Sequence, residues 1–278
     1  LNLISITTPP LAVLIDRHGY ELDAILQVMQ RLKDESLVDG FEFQNLAEWD
    51  TSGPPRDKAA FEVRIRNWSN CEKHSIDEIA YMLKQSNLPI LSVHANRDVG
   101  ICLCSNKQRD VLRGEELIRD SFNLAHQVEA KICVFHLWDT WKKHFDLMRL
   151  KRVLDSIADD YSGIRAAVEN VPINLENTTP YDAVKKFDWI TLDLRWAAMY
   201  NEFDKFKTVE QKIVNIHLRG RLEVNQWVIH HAPFTFSNAL DLIRNDWKYT
   251  GLLTLEPEGG LKNTQWTDFA QAVERIRY

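Results

Sequence analysis

Six apolar runs in this sequence end in a side chain that can bind a metal: His94 in LSVHANRD, His136 in CVFHLWD, Glu169 in AAVENVP, Asp193 in ITLDLRW, His217 in VNIHLRG and Glu256 in LLTLEPEG. A polar group at the end of a buried run is costly unless it is paired or coordinated. Carboxylates and neutral imidazoles together suit divalent Mn, Co, Zn or Fe, and Mg where oxygen dominates. Glu169, Asp193, His217 and Glu256 form a one-metal donor set. His94 and His136 are candidates for a second metal or for substrate hydroxyls. Arg219 and Arg221, just past His217, each offer a rigid fork of donors for a substrate oxygen, carboxylate or phosphate. Glu42, in DGFEF, reads as a wall carboxylate. The indoles of Trp138, Trp196 and Trp227 read as pocket walls, since sugar rings stack on such surfaces.

Such residues act together only if the fold brings the strand ends to one place. Short β-branched runs alternate with segments of helical period from end to end of the 278 residues. The strands are expected at Leu3 to Ile6, Gly40 to Gln44, Ile90 to Ala95, Lys131 to His136, Ile164 to Glu169, Trp189 to Asp193, Ile213 to His217 and Leu252 to Glu256. Between them, Leu22, Ile25, Leu26, Met29 and Leu32 place an apolar stripe on one helix face, and similar stripes run through 76–83, 111–128, 145–157, 240–247 and 267–276. Eight such units match an α/β fold, a single (β/α)8 TIM barrel forming one domain over 1–278, with active-site loops at the C-terminal ends of the strands. Long connections follow strand 2 (48–75) and strand 7 (218–233), which is where a barrel builds its site.

The order and strand placement of DGFEF, SVHA, VENV, ITLD, NIHLRG and LTLEPEG resemble the xylose-isomerase-like TIM-barrel superfamily, which groups sugar isomerases and epimerases with endonuclease IV. The resemblance covers nearly the whole chain, from about Leu3 to Ile276. It implies one divalent metal (Mn, Co, Mg or Zn) on Glu169, Asp193, His217 and Glu256. It further implies that Glu169 and Glu256 are catalytic, moving a proton at a carbon beside a carbonyl. Two departures stand out. Where family members often carry a His three residues after the strand-6 Asp, this chain has Trp196, so a substrate or second-metal contact is missing unless Arg195 or a histidine elsewhere supplies a different one. Where a glycine-rich stretch is common after strand 7, this chain reads Val228-Ile-His230-His231. His231 or His230 is a candidate replacement ligand.

The expected activity is a metal-dependent isomerase or epimerase acting on a small sugar or polyol-derived ketone; a related dehydratase would use the same groups. An endonuclease IV-like phosphodiesterase and a non-catalytic sugar-binding barrel are the alternatives. With 34 Lys+Arg against 40 Asp+Glu, the net charge of −6 disfavours a nucleic-acid partner. No apolar run reaches the roughly 18–20 residues of a membrane span. Four cysteines, without a second pair at zinc-finger spacing, read as reduced thiols. A cytoplasmic location is expected, and a homo-oligomer is left open.

Overall fold

The computed structural model describes residues 2–51, 72–229 and 233–277. Its strands are β1 (Leu3–Thr7), β2 (Gly40–Gln44), β3 (Ile90–His94), β4 (Ile132–Phe135), β5 (Arg165–Glu169), β6 (Trp189–Asp193), β7 (Ile213–Glu223), β8 (Gln226–Val228) and β9 (Leu252–Gly259). Parallel pairing runs from β1 through β6, then β6 to β7, β7 to β9 and β9 back to β1. Eight parallel strands thus close into a (β/α)8 barrel, as expected, with each anticipated strand within two residues of its start. Most of the long connection after strand 2 lies outside the described residues.

The helices take the anticipated stripes. In α1 (Leu22–Asp34), Leu22, Ile25, Val28, Met29 and Leu32 are buried against the barrel wall. α2 (Ile76–Gln85) starts on a capping box, with the Ser75 amide donating to Glu78 Oε2 at 2.7 Å and the Glu78 amide donating back to Ser75 Oγ. α3 (Val99–Leu103) and α4 (Gln108–Gln127) follow β3, and α5 (Leu147–Ala158) follows β4. Short helices α6 (Pro180–Val184) and α7 (Leu194–Met199) flank β6. α8 (Phe236–Asp241) runs into a π-helical turn over Leu242–Asp246. The last helix, α9 (Trp266–Arg277), closes on α1, where Trp266 donates to Glu35 Oε2 at 2.6 Å and lies under the Arg31 guanidinium.

The connection expected after strand 7 is in large part sheet. β7 continues past the barrel rim and turns at Val224 and Asn225, both at positive φ, into antiparallel β8, so that Leu222 faces Trp227. The sequence carries the alternation that explains this, since Leu218, Gly220 and Leu222 are buried while Arg221 and Glu223 are exposed. Gly260 is required by the same feature: at φ 80°, a Cβ there would fall 1.9 Å from the Leu222 carbonyl oxygen.

The barrel interior is layered. Its N-terminal end is apolar, filled by Ile132, Val134, Ala167, Val214 and Leu252, with Leu91 and Trp189 packed against them. Register shifts supply two of these side chains. β2 pairs Phe41 with Ile90 and then Glu42 with Ser92, leaving Leu91 as an extra residue; Val214 is the extra residue between Ile213 and Asn215. Each bulge turns two consecutive residues inward, one apolar and one polar. Above the floor, buried Ser5, Glu42, Ser92, Thr191, Asn215 and Thr254 form a polar layer, and above that lie the candidate ligands of the strand ends.

Candidate metal centre

Strand alternation places each candidate ligand two residues beyond a lumen residue, so the ligands form the next layer towards the mouth. Asp193 pairs in register with His217, and His217 with Thr254. One donor atom from each of Glu169, Asp193, His217 and Glu256 lies within 4.8 Å of the others, and the same holds for His94, His136 and Glu169. The two groups share Glu169. His94 Nε2 and His136 Nε2 are 3.3 and 3.0 Å from Glu169 Oε2. His217 Nδ1 lies 3.4 Å from the same oxygen and 3.2 Å from Glu256 Oε2. On the far side, Arg219 Nη1 is 3.4 Å from Asp193 Oδ2 and 3.5 Å from Glu256 Oε1, and its Nε donates to Glu258 Oε1 at 2.6 Å. Arg195 also pairs with Glu258. Asp193 is fixed through its backbone: its N–H donates to Asn170 Oδ1 at 2.6 Å, while its own carboxylate caps α7 by accepting from the Trp196 N–H at 3.0 Å.

Burial and crowding set the protonation states. Burial lifts the Asp193 carboxyl to about 8, with Arg219 pulling against it and Glu169 and Glu256 pushing with it. At Glu256 burial opposes ionisation too, but Arg219 and His217 outweigh it and hold the carboxyl at about 2. The same contest at Glu169 is decided by His136 and His217, which hold it well below the usual carboxylate range. Burial disfavours charge on His217, yet Glu42 and Glu169 raise it well above an ordinary histidine. Opposed pKa values among neighbouring groups are typical of functional sites.

The residues fit a divalent cation. Glu169 Oε1, His217 Nδ1 and Glu256 Oε2 are buried without a well-formed hydrogen bond among the described residues, although all belong to the quartet. Three carboxylates with one imidazole are donors for Mn, Co or Zn, and for Mg if oxygen dominates.

No family model matches the sequence, and no curated protein matches it. Solved structures do. An L-ribulose 3-epimerase superposes with a TM-score of 0.64 at 16% identity, over 100% of this chain and 92% of its own. A D-allulose 3-epimerase from Methylomonas sp., in complex with D-allulose, gives 0.62 at 14% over 99% and 96%. The IOLI protein with a binding zinc atom gives 0.62 at 12% over 99% and 96%. The chain shares the (β/α)8 barrel fold of these proteins.

Within this barrel the anticipated residues divide. His94, His136, Glu169, Asp193, His217, Arg219 and Glu256 converge, and Arg195 reaches the cluster through Glu258. Trp196 is half-buried, with the Arg195 and Arg219 guanidinium carbons 5.2 and 4.9 Å from its ring. Trp138 is in the hydrophobic core, its indole N–H donating to the Pro172 carbonyl at 2.9 Å. Trp227 packs under the hairpin and donates to the Leu218 carbonyl at 3.0 Å. Arg221 is exposed on β7. His230 and His231 lie outside the described residues, as does Cys71; Cys102, Cys104 and Cys133 are buried free thiols.

Sequence reasoning missed Asn170, Glu258 and, Glu42 apart, the polar layer. A signal for that layer exists. Ser92, Thr191, Asn215 and Thr254 each stand two residues before a strand-end ligand, the period of one strand face.

Proposed function

We propose that this barrel is a divalent-metal-dependent isomerase or epimerase of a sugar or sugar-derived ketone. The convergence of Glu169, Asp193, His217 and Glu256 within 4.8 Å at the barrel mouth carries the reading. Support comes from solved structures of the same fold described as L-ribulose 3-epimerase, as D-allulose 3-epimerase with D-allulose, and as a protein binding zinc.

A divalent ion on the quartet would supply Lewis-acid stabilisation of negative charge developing on the substrate's oxygen atoms. The chain supplies the proton transfer. One glutamate of the pair Glu169 and Glu256 takes the proton from the carbon beside the carbonyl, and the C–H electron pair moves into an enediolate. In an epimerase the other glutamate relays a proton, taken up from solvent as the first is lost, to the same carbon from the opposite face; in an isomerase the proton goes to the neighbouring carbon while the hydroxyl proton of the first carbon passes to the former carbonyl oxygen. Arg219, between Asp193 and Glu256, is placed to balance their charge and to orient a substrate oxygen. Trp196, beneath both guanidinium groups, gives that side of the mouth a flat apolar wall.

A second reading, a two-metal phosphodiesterase, rests on His94 and His136 meeting Glu169 Oε2. Trp196 in place of a ligand and the net charge of −6 oppose it. Elemental mass spectrometry of protein purified without chelator, alongside the Glu169→Ala/Asp193→Ala double variant, separates the readings. One ion per chain, lost in the variant, followed by turnover in a screen of ketoses with Mn, Co and Mg, supports the isomerase. Two or more zincs with phosphodiester cleavage would replace it. No bound metal after metal is supplied would leave a binding barrel.

A further inference from the structure

The proton-transfer scheme leaves a buried carboxylate of the barrel lumen without a part. Glu42 is fully buried, in the polar layer directly below the quartet. Its Oε2 accepts from Ser92 Oγ at 2.8 Å and from Asn215 Nδ2 at 2.9 Å and meets His217 Nε2 at 3.3 Å, while its Oε1 lies 3.1 Å from the same nitrogen. Asn215 is itself held, since Thr254 Oγ1 donates to its Oδ1 at 2.8 Å. Side chains from β2, β3, β7 and β9 therefore aim one carboxylate at one nitrogen of one ring.

Burying a carboxylate costs several kcal/mol before its partners compensate, so a lumen that only had to be filled would be better served by an apolar side chain. The two nitrogens of His217 face different surroundings. Nε2 points down to Glu42, while Nδ1 points up to Glu256 Oε2 at 3.2 Å and Glu169 Oε2 at 3.4 Å. Which nitrogen of a histidine is free to bind a metal is set by the hydrogen bond the other one makes.

We propose that Glu42 is a positioning residue that accepts the Nε2–H of His217, fixing the ring orientation in which Nδ1 presents its lone pair to the cation. This rests on the metal reading above. The competing possibility is that Glu42 only ties strands together, in which case its removal acts on the whole barrel and not through His217.

Cobalt(II) titration of the full chain, followed by visible absorption, distinguishes the two. In wild-type protein, Glu42→Gln should weaken Co2+ binding about 10- to 100-fold. In a His217→Ala background the same change should add less than about threefold, because its route of action is gone. Glu42→Asp keeps the charge but withdraws the oxygens from Nε2; it should weaken binding in the same direction, and it serves if the Gln variant does not fold. Equal losses with and without His217, or wild-type affinity in both Glu42 variants, would overturn the role while leaving the metal site standing. Wild-type protein that binds no Co2+ would overturn the metal reading and this role together.

Discussion

The two ends of the barrel interior are built from opposite chemistry. The N-terminal floor is Ile132, Val134, Ala167, Val214 and Leu252, with no titratable group among them. The mouth crowds Glu169, Asp193, His217, Arg219 and Glu256 into hydrogen-bonding range, with Asp193 and His217 fully buried. The floor gains from leaving water, whereas the mouth forgoes the stability that apolar side chains would give there. The difference teaches which substitutions should harm folding and which should harm chemistry.

The sharpest break of that contrast is at the glutamates. Glu169→Gln or Glu256→Gln should lower turnover by about 10²–10⁴-fold, the usual contribution of a positioned acid or base, while the barrel still folds with a somewhat lower thermal midpoint, since His136, His217 and Arg219 lose an ionised partner. Activity assays with scanning calorimetry check both halves, and wild-type turnover in either variant would remove that residue from the proton transfer. Leu252→Ala, at the floor, should do the reverse, costing about 2–5 kcal/mol of stability with metal affinity retained. Urea unfolding and metal titration on one sample provide the check.

Acidity sharpens the comparison from the side of the mouth alone. Metal ligands must be deprotonated to bind, and Asp193 is held up to about 8 by burial while His217 is raised by Glu42 and Glu169. Affinity for a divalent ion should therefore fall as pH drops below about 8, with protons released on binding. Calorimetry in buffers of different ionisation enthalpy reads the proton count, and a pH-independent affinity between 6 and 8 would contradict it. The smallest effect is expected at Trp196→Leu, which removes the ring under Arg195 and Arg219. It should cost about 0.5–1 kcal/mol, the scale of a partly exposed cation–π contact, read as a modest rise in KM with little change in kcat.

Much of this was legible in the sequence because strand period and ligand chemistry coincide. Runs such as ITLD and LSVH end on their polar residue at the strand's C-terminus, so strands and candidate ligands could be read together. Local pattern fell short where a side chain's meaning depends on its distant neighbours. Glu42 looks like any polar residue in DGFEF until β7 brings Asn215 and His217 against it. Trp138 follows a strand end as a pocket residue would, but its partner, the Pro172 carbonyl, is a contact no spacing announces. The β7–β8 hairpin was hidden by its turn, Val224-Asn225, in which a β-branched residue takes a positive φ that sequence preference argues against.

The bulges at Leu91 and Val214 make the lumen a blind well. By adding one inward apolar side chain each at the foot of β3 and β7, they help to complete a plug beneath Glu42, Ser92 and Asn215. The polar layer is thereby screened from water at the other end, and all six of its side chains are fully buried. Among the described residues the floor closes the lower end, so a group held on the quartet would cap the well from above.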